Sequence, residues 1–116
     1  MSESLNLAKG FLGNSVDVII DRPLKSLHPK HGFEYMANYG YIQDVIAPDG
    51  EGLDAYFLGV SDPLETASGV VIAIIHRIDD DDDKLVVVPN GITLNDEEIE
   101  AAVEFQEKWF KHTIVR

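Results

Sequence analysis

The sequence predicts a small, mostly antiparallel closed β-barrel of the OB-like type carrying one C-terminal helix. Three observations lead there. Five short segments of strand-forming residues follow one another without a long linker. Glycine, proline or asparagine punctuates nearly every junction between them. The one segment with clear helical periodicity and capping signals comes last.

The elements take shape in order. Residues 1–14 carry Leu5, Leu7, Phe11 and Leu12 in a pattern that suits either a short helix or an edge strand. Residues 15–21 alternate Val16, Val18 and Ile20 with polar positions and stop before Pro23, so they read as a strand. Residues 25–32 contain Pro29 and Gly32 and no periodicity, which makes them a loop. Residues 39–47 form a second strand, closed by Pro48-Asp49-Gly50. Residues 54–60 form a third, and residues 69–77 a fourth that reads as buried on both faces. Residues 84–88 form a fifth, ended by Pro89-Asn90-Gly91. In the final segment Asn95 is an N-cap and Glu98 completes a capping box. Ile99, Ala102, Val103, Gln106, Trp109 and Phe110 follow as a helical stripe.

The chain has 116 residues, 45% of them hydrophobic, which is one domain over residues 1–116 with enough length for an unstapled core. With no cysteine, disulfides, zinc–thiolate sites and thiol catalysis are excluded. The longest apolar run, residues 69–75, is far shorter than the roughly 20 residues of a membrane span. Without a secretory pattern at its start, the expectation is a cytoplasmic protein. Acids outnumber bases 21 to 9, a net charge of −12, so binding to nucleic acid or to an anionic membrane is not expected.

Several familiar sites are missing. There is no phosphate-binding loop and no serine nucleophile elbow. Gly50-Glu51-Gly52-Leu53-Asp54-Ala55 fits the letters of a dinucleotide fingerprint but leads into a strand, not a helix. His28-Pro29-Lys30-His31 has two histidines and no third ligand nearby.

Three clusters carry more. In Asp49-Gly50-Glu51-Gly52-Leu53-Asp54, three carboxylates sit on a glycine-loosened turn where they can converge on a hard divalent cation; an acidic surface turn is the alternative. Asp79 to Asp83 precede Lys84, and strand geometry places Asp82, Lys84 and Val86 on one face. That face offers a carboxylate for a cation beside an ammonium for an anion, or else a solvated loop guarding a sticky strand. Asp21-Arg22 and the run Tyr35-Met36-Ala37-Asn38-Tyr39-Gly40-Tyr41-Ile42 supply a guanidinium and phenols suited to phosphate oxygens, although strand tyrosines also serve as packing.

Together these motifs resemble the family I soluble inorganic pyrophosphatases, compact β-barrel enzymes that hydrolyse pyrophosphate with Mg²⁺. The family's Asp-Arg strand end is matched by Asp21-Arg22, and its Y-P-x-N-Y-G-[FY]-I block by residues 35–42. Its D-G-D-P-x-D signature is matched by residues 49–54, and its D-x-K-[LI]-[VI]-x-V-P strand by residues 82–89. The resemblance implies that Asp49, Asp54 and Asp82 hold activating Mg²⁺ ions, or Mn²⁺, and that Asp79 holds a substrate-borne one. It implies that Glu51 takes the proton of the attacking water and that Arg22, Tyr35, Lys84 and Lys111 contact phosphate oxygens. A small phosphate-containing substrate and a homo-oligomeric state are implied with it.

The chain also departs from the pattern. Glu51 stands for the family's aspartate, and a displacement of about one bond length can cost on the order of 100-fold in rate. Gly52 replaces a proline, the segment between Arg22 and Tyr35 is longer, and that between Gly69 and Lys84 is shorter. The first 15 residues hold no counterpart to the family's early lysine and glutamates. Two other functions remain open: hydrolysis of another small phosphoanhydride or phosphate ester, and metal and phosphate binding without catalysis on the same barrel.

Overall fold

The computed structural model describes residues 3–46, 52–79 and 82–116. Its elements run α1 (Glu3–Lys9), β1 (Ser15–Arg22), β2 (Asn38–Ile46), β3 (Gly52–Phe57), β4 (Thr66–Arg77), β5 (Lys84–Val88), α2 (Asp96–Glu107) and β6 (His112–Val115). The five expected strands and the capped helix are all present. Asn95 caps α2 through the Glu98 N–H at 2.8 Å, and the Glu98 carboxylate answers to the Asn95 N–H at 3.0 Å.

The strands pair in the order β1-β2-β3-β5-β4, and β4 returns to β1 to close the barrel. All of these pairings are antiparallel except β3 with β5. The long β4 makes this closure possible. Residues 66–70 pair with β1, and residues 74–77 then pair with β6. Two glycines let backbones approach at the seams. A Cβ on Gly40 would lie 1.7 Å from the Ile19 carbonyl oxygen, and one on Gly69 would lie 2.2 Å from that of Val88.

Two apolar clusters lie on opposite faces of the sheet. Val18, Ile20, Leu53, Ala55, Phe57, Ile74, Leu85 and Val87 fill the barrel, with Leu5 and Ala8 of α1 packed among them. Tyr56, Ala73, Ile75, Val86 and Val88 meet Ile99 and Val103 of α2 on the other side. β5 contributes to both clusters and is the strand buried along its whole length. In β4, the strand expected to be buried on both faces, only residues 73–75 are continuously buried, because its first half is a rim that pairs with β1.

Other boundaries moved for local reasons. Residues 3–9 chose helix over edge strand because Leu5 and Ala8 reach the barrel interior from one helical face. The third strand stops at Phe57, short of Val60, where Gly59 takes φ +85°. α2 ends at Glu107, so Trp109 and Phe110 lie in the turn beyond it instead of continuing its stripe. β6, four residues long, carried too little pattern to be read as a strand.

Candidate active site

The site lies on the outer face of the barrel, where Asp54, Tyr56, Lys84 and Arg77 alternate with core-facing neighbours. The last turn of α2 supplies Gln106 and Glu107. The segment between β1 and β2 folds over as a compact hairpin. The Lys25 N–H bonds the Tyr35 carbonyl at 2.7 Å, and the His28 N–H bonds the Phe33 carbonyl at 2.8 Å. Between these parts opens a cavity of about 690 Å³, lined among others by Arg22, Tyr35, Tyr39, Asp54, Arg77 and Lys84.

At its centre the Lys84 ammonium donates to Asp54 Oδ2 at 2.5 Å and to Asp82 Oδ1 at 2.9 Å. Lys84 is buried, while the two carboxylates are about one third exposed, at 31% and 29%. The other oxygen of Asp82 accepts from Arg77 Nη1 at 3.2 Å. Arg77 in turn grips Glu107 with both arms of its fork, Nε to Oε1 at 2.9 Å and Nη2 to Oε2 at 2.8 Å. Its guanidinium also covers the Phe110 ring at 3.7 Å.

From Glu107 the network continues through uncharged groups. The Tyr56 hydroxyl donates to Glu107 Oε2 at 2.6 Å and accepts from Gln106 Nε2 at 2.7 Å. Gln106 Oε1 accepts from the Tyr35 hydroxyl at 3.0 Å, and that hydroxyl accepts from Arg22 Nη1 at 3.2 Å. Each donor faces an acceptor from Arg22 to Asp54. Among the described residues no buried side-chain polar atom lacks a partner.

The electrostatics follow from burial and pairing. Burial pushes the Tyr39 and Tyr56 phenols well above their ordinary range, reinforced by Asp54 beside the first and Glu107 beside the second. Glu107 feels burial raising its pKa, but hydrogen bonds from Arg77 and Tyr56 outweigh it and hold the carboxyl below the usual range. Burial raises Asp21 despite the neighbouring Arg22. Tyr35 rises for the same reason.

The structure brings together Asp54, Asp82 and Lys84, and joins Arg22 to Tyr35. Asp49 and Glu51 lie outside the described residues. Asp79 and Lys111 are exposed and do not line the cavity; the Lys111 carbonyl instead accepts from the Ile78 N–H at 2.9 Å. Among the described residues no group of three or more histidine or carboxylate side chains is arranged for a metal ion. Arg77, Gln106 and Glu107 were missed as site residues. Gln106 was the available clue, a polar residue inside the apolar stripe of α2.

This is a closed β-barrel whose outer face holds Arg22, Arg77 and Lys84 among carboxylates at a pocket. The inorganic pyrophosphatase family model matches residues 17–114, and the chain belongs to that family. Solved structures show the same fold. The inorganic pyrophosphatase from Helicobacter pylori aligns with a TM-score of 0.66 at 16% identity, over 88% of this chain and 84% of that one. The Ehrlichia chaffeensis inorganic pyrophosphatase gives 0.64 at 15%, over 87% and 84%. The Neisseria gonorrhoeae inorganic pyrophosphatase gives 0.63 at 22%, over 80% and 72%. No curated protein sequence matches the chain.

Proposed function

We propose that the protein hydrolyses inorganic pyrophosphate to two phosphates with the help of Mg²⁺ or Mn²⁺. The observation that carries this reading is the Lys84 ammonium held between Asp54 and Asp82 at the floor of a cavity that also exposes Arg22. Family membership supports it.

The donor chemistry fits a divalent ion. Mg²⁺ is commonly held by one or two carboxylates plus water and substrate phosphates. Asp54 and Asp82 provide hard oxygens on either side of the Lys84 ammonium, and a divalent ion would share those carboxylates with it. The local charge also calls for added cations: Arg22, Arg77 and Lys84 stand against Asp21, Asp54, Asp82 and Glu107. Without them a chain of net charge −12 has little attraction for pyrophosphate. When bound, the metal would neutralise phosphate charge and lower the pKa of its water.

In this reading Asp54 and Asp82, with Asp49, are the metal ligands. Lys84 and Arg22 donate to phosphate oxygens, and Tyr35 fixes the Arg22 fork. The water oxygen bonds to one phosphorus while the bond from that phosphorus to the bridging oxygen breaks. The electron pair leaves with the second phosphate, and the water proton passes to Glu51. Arg77 holds Asp82 in place from behind. Asp79 and Lys111, exposed and outside the cavity lining, are left without a role. Cytoplasmic location and homo-oligomer formation belong to the same reading by family resemblance; no helix among the described residues is long and apolar enough to cross a membrane.

The test is phosphate release from pyrophosphate with and without Mg²⁺ or Mn²⁺, alongside Asp54→Asn. Metal-dependent release that disappears in the variant is expected. A well-folded wild type that releases no phosphate with either metal overturns the reading.

A further inference from the structure

Part of the cavity is built from groups that inorganic pyrophosphate does not need. Beyond Arg22 and Tyr35 its lining turns aromatic. Phe33 lies 5.5 Å from the Tyr35 ring and 5.3 Å from Trp109, between centroids. His28 sits 4.8 Å from both Phe33 and His31. His28 Nδ1 accepts the N–H groups of Lys30 and His31, both at 3.1 Å, so that nitrogen carries no proton. The imidazole is therefore held as a neutral, stackable ring.

Trp109 is the telling residue. It lines the cavity and remains 58% exposed, with the Lys108 ammonium 4.9 Å from its ring centroid, an aromatic surface beside the anion-directed cations. A volume of about 690 Å³ falls in the range that encloses a drug-sized organic ligand. Aromatic faces next to phosphate-binding cations are how proteins hold nucleobases, since every base has a π-face to stack. The loop between β1 and β2 brings Phe33, His28 and His31 to this lining.

We infer that the cavity takes a nucleoside diphosphate, with its phosphates at Arg22 and Lys84 and its base against Phe33 and Trp109. The inference rests on the hydrolytic reading above and names a further substrate class for the same site. The chemistry balances in the same way. The water oxygen bonds to the terminal phosphorus, and the bond from that phosphorus to the bridging oxygen breaks. The electron pair leaves with the nucleoside monophosphate, and a proton from water passes to solvent. Products are a nucleoside monophosphate and orthophosphate.

Trp109 is the sole tryptophan, so its emission reports stacking directly. The full chain is titrated with ADP, CDP, thiamine diphosphate and inorganic pyrophosphate, and phosphate release is measured in parallel with Mg²⁺. The expected result is quenching by ADP or CDP that inorganic pyrophosphate reverses by competition without quenching itself. Trp109→Leu and Phe33→Leu, each checked for folding by circular dichroism, should lower kcat/KM for the nucleotide relative to pyrophosphate by about ten-fold. Pyrophosphate turnover with no nucleotide quenching or release overturns this inference and leaves the pyrophosphatase reading standing. Nucleotide quenching without pyrophosphate turnover upholds the ligand class and overturns that reading. Thiamine diphosphate bound about ten-fold more tightly than either nucleotide overturns the nucleoside assignment. A Trp109 emission already blue-shifted in a self-associated, nucleotide-blind protein overturns it too, since the ring would then be covered by a second copy.

Discussion

Arg77 and Glu107 face each other as a two-pronged ion pair, with side chains 7% and 0% exposed, across the junction of β4 and the end of α2. A cation there also answers the partial negative charge of the helix C-terminus. The pair ties α2 to the strand that carries the site, and Arg77 Nη1 reaches on to Asp82.

Glu107→Gln should therefore destabilise strongly, by about 3 kcal/mol, because it leaves the buried guanidinium with only the partly exposed Asp82 as counter-charge. Urea denaturation measures this, and a loss below about 1 kcal/mol would show that the pair is incidental. The pH dependence has a definite sign. The folded Glu107 carboxyl is held below its unfolded value of 4.5, so its stabilisation is complete above that value and drains away as pH falls through the folded pKa.

Lys84→Met should cost about 2–3 kcal/mol by leaving Asp54 and Asp82 to repel each other without the ammonium. Mg²⁺ should recover part of it, since at ten times its Kd a ligand of the folded state adds about 1.4 kcal/mol. Thermal melts with and without Mg²⁺ check this in both proteins. If Mg²⁺ shifts neither Tm, the two carboxylates do not form a metal site.

Gly40→Ala tests the barrel seam. The new methyl would collide with Ile19 carbonyl oxygen, a backbone atom that cannot swing aside. We expect a loss of about 3 kcal/mol and misplacement of Tyr39, which pairs with Arg22 across the same seam. A variant with wild-type stability would mean that β1 and β2 can separate there without cost.

His112 links β6 back to α2, its Nε2 lying 2.7 Å from a Glu100 carboxylate oxygen and its Nδ1 2.8 Å from the Phe110 carbonyl. Burial lowers its pKa, but the Glu100 hydrogen bond and the Phe110 carbonyl outweigh that and raise it above 6.5. The pair therefore contributes fully below pH 6.5 and is lost as pH rises through the folded value. Melting temperature should fall as pH rises above 6.5 in wild type, and His112→Gln should flatten that slope. An equal slope in both would assign the pH dependence elsewhere.

What the chain order alone determined was the local chemistry. Alternation in residues 15–21, the capping box at Asn95 and Glu98, and the spacing of Asp82 and Lys84 need only neighbours within a few residues, and all three hold in the structure. Asp54, Lys84 and Arg22 were legible because ordered motifs carry them. Arg77 and Glu107 were not, because a charge in sequence carries no sign of burial, and their meaning, like that of Gln106, comes from partners 30 and 50 residues away. The length of α2 and the existence of β6 were likewise decided by tertiary contacts. Only when β4 offers a free edge at residues 74–77 does a four-residue strand gain hydrogen bonds enough to form. Closure of the barrel is the same kind of fact, a long-range pairing whose energy appears only once the distant strands have met.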